Sequence, residues 1–160
     1  MRIATVLVTL YLFAGSASAQ VPGSKVPHST VAHMDSVLLW ERQVLQAEDA
    51  VNSDTWDNSE LGMAFKQRLA NHHRMLESQA RIVSHLQQGI GDLEDVFDFF
   101  VSAKDVASEA ESVAEAEHSY GGQDPKYGQK GADILNAVTT LNVSLSAVQD
   151  DIRGLLRECK

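Results

Sequence analysis

The chain has 160 residues, with 13 basic and 22 acidic side chains and a net charge of −9. That length holds one domain with a real core, and that charge speaks against nucleic acid or an anionic membrane surface as a partner. Aromatic residues make up 6 % and the Gly and Pro residues are confined to a few places, which favours a helical bundle over a sheet protein. The one cysteine, Cys159, rules out an internal disulfide and with it the small disulfide-stapled secreted scaffolds. It leaves two fates, a free thiol or a bridge to a second copy of the chain.

The first stretch reads as an address. Arg2 precedes an apolar run over 3–14, and Gly15-Ser16-Ala17-Ser18-Ala19 ends in an A-x-A pattern. This is the layout of a secretory signal peptide over residues 1–19. The run is shorter than the roughly 20 residues that a spanning helix needs, so cleavage after Ala19 is expected and anchoring is not. The expected product is exported, to the periplasm or the extracellular surface, with no membrane insertion after cleavage. Loss of Arg2 leaves 12 basic against 22 acidic side chains. Residues 20–28 form an arm that Pro22, Gly23 and Pro27 keep out of a helix. A helical bundle domain is expected over 29–160.

Ser29 or Thr30 is a suitable N-cap for the first helix, which runs to about Val51. Val37, Trp40, Val44, Ala47 and Val51 lie on one line, with Trp40 the largest anchor. Met34, Leu38 and Leu45 widen the line into a core-facing band. A polar connector follows over 52–58, whose Asn, Asp and Ser side chains bond their own backbone and oppose further helix. Trp56 stands alone in it, to fold back over the bundle end or to serve as an exposed partner contact.

The second helix starts near Ser59, with Leu61, Phe65, Leu69, His72, Leu76, Val83, Leu86 and Ile90 on its buried side. Its flanks are basic. Gly89-Ile90-Gly91 ends it, as a Gly just past the last turn commonly does, and Asp92 starts the next helix as an N-cap or first-turn acid. That third helix runs to about Ser119 and carries Leu93, Val96, Phe97, Phe100, Val101, Ala107, Ala110 and Ala114. Acids crowd it against Lys104 alone, a pattern of a solvated face. An antiparallel pairing with the basic second helix would set opposite charges side by side. After a break at 120–125, the fourth helix runs from about 126 to near Cys159. Ile134, Val138, Leu141, Leu145, Val148, Ile152 and Leu155 recur at steps of four and three, the seam of a helix that packs on other helices.

The fold class is therefore all-α. It is a four-helix up-down bundle, or an elongated helical hairpin or coiled-coil bundle with the first helix swapped onto a neighbour. No cofactor is expected. Glu115 and His118 form one Glu-x-x-His pair, but a di-iron bundle needs a second such pair and two further inward acids. Cys-x-x-Cys-His, HExxH and Gly-x-Ser-x-Gly are absent. His72 lies on an apolar stripe and reads as a hydrogen-bonded core or boundary histidine. His73 falls on a solvated flank. Asn142-Val143-Ser144 matches a glycosylation sequon.

The leader, the arm beginning Gln20-Val21-Pro22, and amphipathic helices bearing Gln43, Gln46, Gln79, Gln87 and Gln88 together resemble the minor pilin subunits of type IV secretion systems. The chain lacks their internal glycine-rich stretch. The resemblance implies a surface-exposed subunit at a pilus tip, acting by adhesion or assembly. The expected function is thus an exported, non-enzymatic protein–protein interaction domain, with Trp56 as candidate contact. The alternative is a metal- or small-ligand-binding bundle built on His72, His73, His85 and acids of the third helix.

Overall fold

The computed structural model describes residues 26–51, 60–120 and 125–158, the side chains of 61, 119, 120, 125–127 and 158 excepted. The leader, the arm up to residue 25, Trp56 with its connector, the side chain of Leu61 and Cys159 lie outside the described residues. Four helices follow one another: α1 (His28–Val51), α2 (Glu60–Gln87), α3 (Leu93–Tyr120) and α4 (Pro125–Glu158). No strand occurs among the described residues.

Each helix starts and stops for a local reason. The Pro27 carbonyl accepts the Val31 N–H at 3.3 Å, so α1 begins at His28, ahead of where a Ser29 or Thr30 cap would start it. Proline suits a helix start, because its missing N–H would have had no helical partner there. Thr30, expected as a cap, is instead buried in the first turn. Gly89 closes α2 at φ 74°, a left-handed conformation that favours glycine. Asp92 Oδ1 accepts the Glu94 N–H at 2.9 Å, while Asp95 Oδ2 accepts the Asp92 N–H at 3.0 Å. This reciprocal cap starts α3 as the sequence predicts.

The helices run up, down, up, down. Gln87 meets Asp35 and His33 meets Asp151 at one end of the bundle, while Lys130 reaches the Ala50 carbonyl at the other. α1 packs on all three other helices of its own chain, so neither a swapped first helix nor a hairpin standing clear is formed. α4 lies in long contact with α1 and α3. α2 also touches α1 and α3 but makes no close backbone approach to α4. The two occupy opposite corners.

All four seams step by three and four. On α4 they are Ile134, Val138, Leu141, Leu145, Val148 and Ile152, all buried. Burial of one such side chain contributes about 1.5–3 kcal/mol, so this stripe alone outweighs any single polar contact in the molecule. On α3 the seam is Val96, Phe99, Ala103, Val106, Ala110, Val113 and Glu117. Its small residues let α4 come close: a Cβ on Gly131 would sit 3.0 Å from the Ala114 carbonyl oxygen. On α1 the seam is Met34, Val37, Glu41, Val44, Glu48 and Val51.

Several expected core positions move. Phe97 and Val101 are exposed and Phe99 takes the core, because the large apolar residues on both sides of Asp98 fit two helical phases and only packing selects one. Ile90 is 63 % exposed beyond the end of α2. Trp40 and Ala47 are half-buried, while their neighbours Glu41 and Glu48 point inward.

Candidate functional site

Five ionisable or amide side chains occupy seam positions that apolar residues would ordinarily fill: Glu41, Glu48, His72, Gln79 and Glu117. Four of them lie where α2 packs on α1 and α3, arranged in two layers seven residues apart, about 10.5 Å along each helix. In one layer, His72 Nδ1 lies 2.9 Å from Glu48 Oε2 and its Nε2 lies 3.0 Å from Glu109 Oε2. In the other, the Gln79 amide donates to Ser102 Oγ at 2.8 Å, with Glu41 beside it on α1. Antiparallel packing produces this match, since Glu41/Glu48, His72/Gln79 and Ser102/Glu109 all share the seven-residue spacing. Glu117 is buried elsewhere, near Gly131 at the α3–α4 approach.

The two layers differ electrically. The side chains of His72 and Glu48 are 0 % and 1 % exposed, whereas that of Glu109 is 39 % exposed. Burial works against a charged His72, but the Glu48 and Glu109 carboxylates outweigh it and raise its pKa above the usual 6.5. A neutral imidazole has one N–H, so bonding a carboxylate at each nitrogen requires the imidazolium. Glu41 is the reverse case. Burial pushes its carboxyl up to about 8, and the Gln79 amide and His72 charge offset only part of that. Gln79 lies close enough to favour the ionised form, yet its nitrogen is committed to Ser102. Neither Glu41 oxygen has a well-formed hydrogen bond, and Gln79 Oε1 and Glu48 Oε1 are likewise without one.

The sequence reading placed His72 correctly as a hydrogen-bonded interior histidine. It did not find Glu41, Glu48, Gln79 or the partner role of Glu109. His73 is half-exposed and 3.6 Å from Asp49, and His85, Glu115 and His118 are exposed. The histidines named for a ligand-binding bundle are therefore not brought together. Glu48 and Glu109 sit on opposite sides of the His72 ring and do not converge on one point, and no group of three metal-ligating side chains forms among the described residues. The expected charge ladder between α2 and α3 also takes another form. His72–Glu109 joins them, while Lys66, Arg68, Arg74 and Arg81 are exposed. Asn142 of the sequon is engaged, donating to Glu111 at 3.0 Å and facing Lys104 at 3.4 Å.

Open grooves mark the surface of the described residues. One, between α1 and α4, has Trp40, Ala47 and Ala137 with Gln43, Gln46, Asn136, Thr140 and Asp133 around them. Another, between α2 and α3, is lined by Gln67, Arg68, Asn71 and Arg74 and reaches Glu109. No helix among the described residues is long and apolar enough to cross a membrane.

These features define an all-α four-helix bundle with a polar seam beneath one helix. Compared with known proteins, the chain matches no family model, no curated protein and no solved structure.

Proposed function

We propose that the chain is an exported, non-catalytic helical interaction domain, a surface or secretion-apparatus component of the minor-pilin kind. The leader pattern over 1–19 supports export. The observation that carries the interaction reading is the groove between α1 and α4. Trp40 is half-buried there, and the surrounding polar groups are mostly uncharged amides and a hydroxyl. An aromatic set among neutral hydrogen-bonding groups suits an uncharged polypeptide segment, which brings apolar side chains and backbone N–H and C=O groups together. Trp56 remains the candidate contact in the connector after α1.

A photo-reactive residue at Gln43, with a control at exposed Ser146, tests this reading in cells that export the protein. The expected result is a covalent adduct with a second protein at Gln43 and none at Ser146. No adduct at Gln43, or equal adducts at both positions, would overturn it.

A further inference from the structure

We propose that α2 is a proton-latched helix, seated on α1 and α3 while its seam holds its protons and released as alkali removes them, with α1, α3 and α4 staying packed. The inference is independent of the partner-binding reading, because it rests on the interior of the bundle.

The buried atoms specify where the protons sit. An ionised Glu41 would present two acceptor oxygens, neither with a well-formed hydrogen bond, to a place whose nearest amide N–H is committed to Ser102, and the nearby Gln79 Oε1 is a third acceptor without a partner. Protonation of Glu41 resolves this, since the acid O–H is the donor that Gln79 Oε1 lacks. The second proton belongs to His72. With Glu48 on one ring nitrogen and Glu109 on the other, loss of that proton turns a lone pair toward one carboxylate. Each proton lost thus leaves repulsion between α2 and its neighbours, in a place where burial magnifies it.

The charged surroundings do not cancel the effect. α1 contributes Glu41 and Glu48, with Asp49 at the rim facing His73 of α2. α3 contributes Glu109. Arg68 and Arg74 of α2 line the groove outside Glu109, not the seam itself. α4 carries no titratable side chain between Asp133 and Asp150, and its apolar seam keeps α1 and α3 together when α2 loosens. Because Glu109 is part-exposed and lines the groove, it gives the His72 layer a route for exchanging protons with solvent.

Hydrogen exchange of the purified protein, followed helix by helix at about pH 5.5 and about pH 9 and corrected for intrinsic exchange rates, tests the latch. Amides of α2 should lose about tenfold or more of their protection at the higher pH while those of α4 keep theirs. Glu41→Gln, neutral at both pH values, should shrink the α2 loss. Should that variant fail to fold, Glu41→Met gives the same reading with an apolar side chain. Equal loss in α2 and α4, no loss in α2, or an unchanged α2 loss in the folded variant would overturn the proposal. The last two results are those expected if the Gln79 amide is turned the other way, feeding an N–H to a charged Glu41.

Discussion

α4 and α2 face the same two neighbours, α1 and α3, from opposite corners, yet they are held by different physics. α4 offers six apolar seam residues and a glycine that admits the α3 backbone. Along that stripe its attachment is non-directional and insensitive to pH, because apolar burial needs no partner geometry and carries no proton; Glu117 near Gly131 and the His33–Asp151 contact lie outside it. α2 sets His72 and Gln79 in its seam between Phe65, Leu69, Val83 and Leu86, and so depends on hydrogen-bond direction and protonation state. A dry seam supplies stability. A seam with buried polar groups is conditional, since such groups help only when each is satisfied.

Breaking the dry side should have the largest effect. Leu145→Asp places an unpaired charge at the centre of the α4 seam and should abolish cooperative thermal unfolding. Ser146→Asp, on an exposed position next to it, should shift stability by no more than about 0.5 kcal/mol. Similar melting curves for the two variants would place the seam elsewhere.

The wet side should respond next. His72→Ala removes the cation between Glu48 and Glu109 and leaves the Glu48 carboxylate buried. Urea denaturation should show a loss of about 3–5 kcal/mol. Combining His72→Leu with Glu48→Leu should recover much of that, because an apolar pair leaves no buried charge. If the double variant is no better than the single one, the pair contributes more than charge neutralisation.

A smaller effect, opposite in sign, is expected at Glu41. Its pKa is raised from 4.5 to about 8 in the folded protein. The folded state therefore holds a proton that the unfolded chain has released between those values. The associated stability is full below about 4.5 and is lost as pH rises through about 8, and the raised His72 pKa acts in the same direction. Glu41→Met should flatten this dependence and, at pH 8, stabilise the domain by about 1–4 kcal/mol. Thermal melts across pH 5–9 measure both effects. A wild-type melting temperature that climbs steadily with pH would contradict the sign. The smallest change is expected at Phe97→Ser, within about 0.5 kcal/mol at an exposed site, against about 3–5 kcal/mol for Phe99→Ala in the core.

The α4 stripe is legible from Ile134 to Ile152, because its letters alternate between apolar and small polar types at helical spacing; only Leu155, at its end, is half-buried. The α1 seam was half legible. Steps of three and four through Met34, Val37, Val44 and Val51 pass through Glu41 and Glu48, yet Trp40 and Ala47 are the apolar letters nearby and were read as the line. A strict step count was the signal that could have found the two acids, and the same count passes through Gln79 on α2 and Glu117 on α3. What no single helix could show is that these positions meet. The Glu48–His72–Glu109 contact joins residues 24 and 37 apart, and it follows only once the turn at Gly89 and the packing of the helices set the level of each.

The shared seven-residue spacing has a consequence for alignment. Apolar seams repeat every heptad, so α2 could slide one repeat along α1 and α3 and still bury a continuous stripe. The polar residues mark one setting of that sliding scale. A slip that brings His72 level with Glu41 and Ser102 sets Phe65 between Glu48 and Glu109, stranding two carboxylates against a phenyl ring. The wrong setting is thus penalised at the level of Glu48 and Glu109, where nothing replaces the His72 ring. The chain cannot accept an added residue between His72 and Gln79, where the two marks must stay one repeat apart.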